Sequence, residues 1–194
     1  MKLITKREDI RLAEAILADC YLHAPNITWF MEKNRKKACF FFSMVLQEAM
    51  LKKGAYLSED RKGVLLLYPQ GKSIFHPCLL LRKLMLVLFY LGPKKSVQLI
   101  KTQQIQAVQR PKTGLYGMAL AILPHENLWK TQLEIKRKMN QIQLESGLSI
   151  YLETTNERYA ILYEKLGFSI YQKIAHPYAN LSVWFMKKDI PELP

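Results

Sequence analysis

The stretch SIYLETTNERYAILYEKLGF, residues 149–168, decides the fold of this chain. Apolar and polar residues alternate through its first five positions, and this period of two predicts a β-strand with two unlike faces. Asn156 is a good helix-capping residue, and the apolar and aromatic positions after it fall on one face of a helix that Gly167 can end in a left-handed conformation. The stretch therefore predicts a strand, a capped turn, a helix and, from Phe168, the start of a second strand.

This order of residues resembles the C-terminal signature of the GCN5-related N-acetyltransferases (GNAT), in which a strand, an asparagine-led turn, a helix with an exposed tyrosine and a Gly-Phe pair follow one another. Asn156 matches an asparagine that contacts coenzyme A in that family, and Tyr163, seven residues further on, matches its tyrosine. The resemblance implies an α/β (α+β) chain with the GNAT acyl-CoA N-acyltransferase fold, in which helices flank a mixed, mostly antiparallel central sheet. It also implies an acyltransferase that uses acetyl-CoA as cosubstrate and an amine as acceptor.

The length and composition favour a single domain over residues 1–194. With 194 residues and 49% hydrophobic content, the chain can bury one substantial core, and no linker or internal repeat divides it. The N-terminus lacks the unbroken apolar run of a signal peptide. The most apolar run, residues 78–91, is interrupted by Arg82 and Lys83 and is too short to cross roughly 30 Å of hydrocarbon. We therefore expect a cytoplasmic protein with no membrane partner.

The charge of the chain favours anionic partners. Lys and Arg total 29 against 16 Asp and Glu, and the formal charge of +13 attracts nucleic acid, a membrane surface or a phosphorylated cofactor. The basic residues are spread in pairs and triplets, with no basic arm and no ladder of aromatic residues that stacks bases, so nucleic acid is the less favoured partner. The three cysteines and four histidines show no metal-ligand spacing, and we expect no metal site.

The first part of the chain predicts two helices, over residues 7–20 and 35–51, followed by a β-hairpin of strands 55–58 and 64–68. In the GNAT resemblance these two helices flank the acceptor site. Aromatic residues on and between them are therefore candidates for an acceptor pocket, or else for the core: Tyr21, Trp29, Phe30 and Phe41.

Residues 70–112 predict a helical insertion before the central strand. Two helical patterns, over residues 79–91 and 95–108, are separated by Gly92 and Pro93. The insertion can cover one side of the acceptor site, or it can simply widen the core.

Residues 117–123, GMALAIL, form a run of small and apolar residues that predicts a central strand buried on both faces. The run resembles the family's central strand, where a bulge splays the strand from its neighbour and leaves backbone groups free. The resemblance implies that this backbone holds the pantetheine arm of acetyl-CoA and polarises the thioester carbonyl, at Leu120, Ala121, Ile122 and Leu123.

A helix is predicted over residues 127–146, and the family's pyrophosphate loop lies at its start. That loop normally carries alternating glycines, which let the backbone approach phosphate oxygens at the positive end of the helix. Here Leu128, Lys130 and Gln132 occupy the glycine positions, so the loop is degenerate. Its candidate contacts to the cofactor are Lys130, Thr131 and Gln132.

Two side chains of the signature are candidates for proton transfer. The resemblance implies that Tyr163 is the general acid, since a phenol with a pKa near 10 can protonate the departing thiolate at neutral pH. Glu153, at the end of the strand, can take the amine proton directly or through water, or can equally stabilise the start of the helix. A closing hairpin carries His176 and Tyr178 at its tip, as turn residues or as a border of the acceptor site.

These features favour an N-acetyltransferase in which a primary amine attacks acetyl-CoA directly. An alternative of a different class is a GNAT-fold binding or regulatory module that has lost tight acetyl-CoA binding together with the loop glycines. A nucleic-acid-binding protein is a third hypothesis, suggested by charge alone. The sequence leaves the acceptor amine and the oligomeric state open.

Overall fold

The chain alternates between strands and helices, as seen in a computed structural model that describes residues 1–71, 75–123 and 128–190. The strands are β1 (Lys2–Leu3), β2 (Ala55–Leu57), β3 (Gly63–Pro69), β4 (Leu115–Ile122), β5 (Ile150–Thr154), β6 (Ser169–Ala175) and β7 (Ser182–Lys188). The helices are α1 (Arg7–Tyr21), α2 (Pro25–Met31), α3 (Arg35–Leu51), α4 (Pro77–Met85), α5 (Gly92–Gln109), α6 (Leu128–Ser146) and α7 (Glu157–Lys165), with a π-helical segment, Leu86–Leu91, between α4 and α5. Asn127, the predicted start of α6, lies outside the described residues.

The strands form one mixed sheet in the order β1-β2-β3-β4-β5-β7-β6. The β4–β5 pair is parallel and the other pairs are antiparallel. Helix α6 carries the chain from the end of β4 back to the start of β5, which is the crossover that a parallel pair requires. The predicted mixed, mostly antiparallel sheet with flanking helices is thereby confirmed.

Helices cover both faces of this sheet and build two buried clusters. Alternate side chains of β3 divide between them: Val64 and Leu66 face the cluster formed with α1 and α3, while Leu65 and Leu67 face the cluster formed with α6. A strand that must bury both faces is therefore apolar at every position, which is why residues 64–67 read as a continuous run.

A β-bulge interrupts the ladder between β3 and β4. Leu66 pairs with Ala119 and Leu67 pairs with Gly117, so Met118 is an extra residue on β4. The parallel ladder to β5 covers three pairs and ends where Gly117 pairs with Leu152. Beyond the bulge β4 and β5 diverge, as the resemblance implied for the central strand.

The predicted helical insertion before β4 is also confirmed. Helix α4 packs against α3, and the chain then turns at Gly92 into α5. Among the residues of α5, Ser96 and Thr102 are the buried ones, so α5 lies shallowly on the surface. No helix in the three described ranges combines the length and the apolarity needed to cross a membrane.

The signature stretch folds as its residues predict. The Asn156 side chain accepts a hydrogen bond from the Arg158 backbone N–H, at 3.0 Å, and so caps the start of α7. At the other end Gly167 adopts φ +89°, and the Phe168 and Gly167 N–H groups donate to the carbonyls of Tyr163 and Glu164. This pair of bonds is a Schellman motif, which turns the chain sharply into β6 and buries Phe168 beside Tyr163.

Candidate active site

A cleft of ≈ 510 Å³ opens where β4 parts from β5. One wall is the end of β4, and the others are α6, α7 and the last turn of α1. The residues that the sequence predicted to contact the cofactor and that line this cleft are Leu120, Ala121, Ile122, Leu123, Gln132 and Tyr163. Leu120 and Ile122, which line the cleft, are only partly buried, and so are Gly117 and Met118, so the prediction that this strand is buried on both faces is wrong at these positions.

The backbone edge of β4 in the cleft is already hydrogen-bonded by α1. The Tyr21 hydroxyl donates to the Leu120 carbonyl and accepts from the Leu120 N–H, both at 3.0 Å. Next to it, the Cys20 thiol bonds to the Ile122 backbone, which partly offsets the rise in the thiol pKa that burial causes. The sequence predicted free backbone groups here, and the structure corrects that prediction: side chains from the end of α1 satisfy them.

Tyr163 stands on the wall between the cleft and a small void that reaches Glu153. Its ring packs against Phe168, with ring centres 5.7 Å apart. Burial, and to a lesser degree the neighbouring Tyr159, raise the pKa of Tyr163 to about 12. The phenol therefore keeps its proton throughout the neutral range, and it can act there as a proton donor.

Helix α6 presents cationic and polar groups to the cleft on one face. Gln132 and Lys136 are four residues apart and both line the cleft, and Lys188 from β7 joins them. Lys188 donates to Asn140 at 2.8 Å, while burial and the charge of Lys136 lower its pKa. This group of donors is suited to an anion such as a pyrophosphate.

Lys130 and Thr131 lie on a different side of α6. Both border a separate hollow beside the β2–β3 turn, where the Thr131 hydroxyl donates to Asp60 and the Lys130 ammonium lies 5.6 Å from the ring of Trp129. Successive residues of a helix are turned by about 100°, so one face cannot carry positions 130, 131 and 132 together. The structure thus brings Gln132 to the cleft and does not bring the side chains of Lys130 and Thr131 there.

Asn156 precedes the first residue of α7, a few positions before the α7 residues that line the cleft, and its side chain caps this helix. Its side-chain oxygen is occupied by the Arg158 N–H. Tyr159, one turn further along α7, lines the cleft. Asn156 therefore orients the helix that carries the cleft residues.

A second cavity, of ≈ 140 Å³, lies across β4 on the face covered by α1 to α3. Several aromatic side chains contribute to its walls, and the aromatic candidates from the sequence all line it: Tyr21, Trp29, Phe30 and Phe41. Tyr21 lines both this cavity and the cleft, so the two spaces meet at its side chain. We call this space the acceptor cavity.

Glu153 lines the acceptor cavity, and Arg110 from the end of α5 holds it. The Arg110 guanidinium donates to both Glu153 oxygens and lies 4.8 Å from the ring of Tyr116. Burial lowers the pKa of Arg110, but the hydrogen bond to Glu153 and the electrostatic effects of Tyr116, Glu153 and Tyr68 together outweigh it, and the pKa rises. Burial raises the pKa of Tyr116 well above its usual value, and the charge of Glu153 adds to the rise.

His176, at the tip of the closing hairpin, is 7% exposed and also lines the acceptor cavity. Its ring lies edge-on to Trp29 with centres 4.7 Å apart, and burial lowers its pKa. The Nδ1 atom accepts a hydrogen bond from the Tyr178 N–H, at 3.2 Å. In the neutral ring the proton is then on Nε2, so His176 faces its surroundings as a donor and is not the base.

Sequence reasoning missed three charged residues of the site, namely Arg110, Lys136 and Lys188. Arg110 lies just beyond the predicted helix over residues 95–108, and its pairing with a side chain 43 positions away carries no local signal. Lys136 sits in the run Lys136-Arg137-Lys138, and only its fourfold spacing from Gln132 could have singled it out. Within the described ranges, His, Cys, Asp and Glu side chains do not gather in threes around a possible metal position.

No family model matches the chain, and no curated protein sequence matches it. Solved structures do match. The histone acetyltransferase HPA2-related protein from Corynebacterium glutamicum is 17% identical, with 99% of this chain and 96% of that chain covered and a TM-score of 0.59. Arylalkylamine N-acetyltransferase 2 from Aedes aegypti is 12% identical over 97% of each chain, with a TM-score of 0.63. The NatB acetyltransferase complex bound to CoA is 16% identical over 98% of each chain, with a TM-score of 0.50.

The likeness at these identities shows the fold. The chain has the fold of the GCN5-related N-acetyltransferases, and the prediction that residues 149–168 support is confirmed at that level. Activity is a matter of the site and is argued from its residues below.

Proposed function

We propose that this chain is an N-acetyltransferase that transfers the acetyl group of acetyl-CoA to a primary amine. The observation that carries the proposal is the meeting of the cleft and the acceptor cavity at the bulged part of β4, with Tyr21 in both spaces and Tyr163 beside them. Two substrates entering from opposite faces would meet at that point. The CoA bound to NatB and the amine acceptors named for the Aedes aegypti enzyme are in keeping with this pairing.

The described residues of the cleft fit acetyl-CoA in kind. Acetyl-CoA, when bound, supplies a thioester carbonyl that an unprotonated amine can attack. The edge of β4 from Leu120 to Leu123 would pair with the pantetheine arm, and a backbone N–H there would polarise the carbonyl. Lys136, Lys188 and Gln132 would hold the pyrophosphate by charge and hydrogen bonding, without the help of glycines.

Proton transfers at two residues complete the reaction. Glu153 accepts the proton of the acceptor ammonium, directly or through water, and its negative charge also draws that cation into the cavity. The amine would attack the acetyl carbon and the bond from carbon to sulfur would break, while Tyr163 would give its proton to the departing thiolate and take the second proton of the attacking nitrogen in its place, which leaves a neutral amide and a neutral tyrosine. Glu153 and Tyr163 both border the void that joins the two spaces, so the transfers at the two residues occur on either side of β4.

The test of the proposal is the substitution Tyr163→Phe. Removing a general acid should lower kcat by about 10²–10⁴-fold, while the Kd for acetyl-CoA changes by less than about twofold because the ring still packs against Phe168. The matched control is Tyr56→Phe, which removes a hydroxyl bonded to the Lys53 carbonyl, far along the sheet from the cleft. Unchanged kcat in the Tyr163 variant would remove that residue from the mechanism.

Calorimetric titration tests the cosubstrate separately. Acetyl-CoA should release heat and raise the melting temperature, since a ligand that binds only the folded chain stabilises it. An absence of both effects at millimolar acetyl-CoA would favour the binding or regulatory module instead.

A further inference from the structure

The helical insertion between β3 and β4 exposes several large apolar side chains on its outer surface. Arg82 of α4 points toward α3, where it donates to Gln47 at 2.9 Å and to Ser43. Lys83 likewise reaches Glu48 of α3, at 3.3 Å. Leu79 of the same helix is buried at 3% exposed, but other large apolar side chains of α4 are outside, including Leu80, at 59% exposed, and Leu84, at 51%. Several exposed leucines on one helix form a surface that is suited to contact something apolar.

The outward leucines border a groove of ≈ 610 Å³ between α4, the π-helical segment and α5. Leu80 and Leu84 form one wall, Leu99 and Ile100 of α5 form the other, and Phe41 and Met44 of α3 form the floor. The walls stand apart because α5 makes its helix-to-helix contacts with the π-helical segment, near the turn at Gly92. The groove is lined mainly by apolar side chains, with the charged residues Glu48, Lys52 and Lys83 also on its walls.

The groove continues into the acceptor cavity. The two spaces share Arg110, Tyr116 and Met118 at the bulge of β4, and also Phe41 and Leu99. An apolar group that lies in the groove can therefore belong to the same molecule that reaches the acceptor cavity.

A buried hydroxyl marks where the polar end of that molecule would lie. Thr102 of α5 is 4% exposed and lines the acceptor cavity. Its Oγ1 atom has no hydrogen-bond partner among the described residues. An unpaired buried hydroxyl is costly, and a ligand group that bonds to it regains that cost.

Resting on the proposed function, we propose that the acceptor is an amine with a hydrocarbon chain, its nitrogen between Glu153 and Thr102 and its chain in the groove between α4 and α5. The acetyl group needs no such space, so the groove belongs to the acceptor. The enzyme would then select its acceptor both by the positive charge of the ammonium group and by the length of the hydrocarbon chain.

Straight-chain amines from butylamine to decylamine, kept below their micelle-forming concentrations, test this proposal by calorimetry with the whole chain. The Kd should fall by up to about fourfold with each added methylene, since each buried CH2 contributes about 0.8 kcal/mol. This readout does not depend on turnover, and acetylation of butylamine with acetyl-CoA is measured alongside it.

A matched pair of variants locates the chain. Ile100→Gln places a polar group on the groove wall and should weaken decylamine binding by about tenfold or more. Val97→Gln is its control, because Val97 lies one turn earlier on α5 with nearly the same exposure, 52% against 51%, and outside the groove lining.

Three outcomes overturn the proposal without touching the acetyltransferase assignment. The first is equal affinity for butylamine and decylamine, and the second is an equal loss of decylamine affinity in the two variants. The third is a preference for decanoyl-CoA over acetyl-CoA with butylamine as acceptor, which would assign the groove to the acyl donor. The acetyltransferase assignment fails on a different result, namely no acetyl-CoA binding and no acetylation of any amine.

Discussion

The Tyr21 hydroxyl bonds to both the N–H and the C=O of Leu120, which are the two groups that a pantetheine amide would use. A bound cosubstrate must therefore exchange its own hydrogen bonds for those of Tyr21. The backbone groups of Leu120 are therefore hydrogen-bonded both before and after the cosubstrate binds. Breaking their bonds to Tyr21 reduces the free energy gained when acetyl-CoA binds. Tyr21 acts in this way as a latch on the proposed cofactor cleft.

The substitution Tyr21→Phe should open this latch. Each lost hydrogen bond removes about 1 kcal/mol from the free energy of unfolding, while the cosubstrate no longer has to displace the hydroxyl. We expect the Kd for acetyl-CoA to fall by about five- to tenfold as the protein becomes less stable, with both measured on the same preparation by calorimetry and thermal unfolding.

Tyr171→Phe serves as the control for the latch. It removes a tyrosine hydroxyl bonded to the Gln109 carbonyl at 3.2 Å, outside the cleft lining. The control should lose stability without any gain in affinity. Weaker acetyl-CoA binding in the Tyr21 variant would show that the hydroxyl helps the cosubstrate and does not compete with it.

At the scale of elements, the Arg110–Glu153 pair ties the end of α5 to the end of β5. The two side chains are 25% and 12% exposed, so most of their charge is removed from water. Breaking a buried pair on one side leaves the other charge without compensation, which costs more than the pair itself contributes. The insertion therefore depends on the same carboxylate that the proposed chemistry uses.

A double-mutant cycle with Arg110→Met and Glu153→Gln separates these roles. Each single variant should lower the free energy of unfolding by about 2–3 kcal/mol, and the double variant by clearly less than the sum. If Glu153 accepts the amine proton, Glu153→Gln lowers kcat by about 10²-fold or more, and Arg110→Met lowers it far less. Equal losses of kcat would leave Glu153 with a structural role alone.

Much of this architecture follows from local patterns in the sequence. The capped helix α7, the hairpin β2–β3 and the two helices of the insertion each rest on residues close together in the chain. The sequence does not show which face of α6 lines the cleft. Lys130 and Lys136 belong to one helical pattern, and only the packing of α6 on the sheet decides which of them reaches the cleft. The latch at Leu120 spans 99 positions and has no counterpart in any local pattern.

For the molecule as a whole, the charge of +13 matters where it is concentrated. Surface lysines in solvent are screened over about 8–10 Å at physiological salt, so their sum gives mainly a general attraction to anions. Lys136 and Lys188 differ from them because both face one cleft and Lys188 is 9% exposed. The proposed pyrophosphate grip is therefore local.

Two variants of α6 test which lysine makes this grip. Lys136→Gln should raise the Kd for acetyl-CoA by about tenfold and flatten its dependence on salt, since a charge-assisted bond to phosphate contributes about 1.5–3 kcal/mol. Lys130→Gln removes the same charge from the neighbouring hollow and should change the Kd by less than about twofold. The reverse ranking would restore Lys130 as the cofactor contact.

The bulge at Met118 also changes which positions of β4, even or odd, face a given side of the sheet. Up to and including the bulge, the even positions Tyr116 and Met118 face the cluster of α1 and α3. After it the odd positions Ala119 and Ala121 face that cluster. Loss of Met118 would close the bulge, because Gly117 and Ala119 would then pair in regular alternation with Leu67 and Leu66, and the later residues of β4 would keep their faces. A single deleted codon would thus leave the apolar pattern of β4 intact and still remove the irregularity at which the proposed cleft opens.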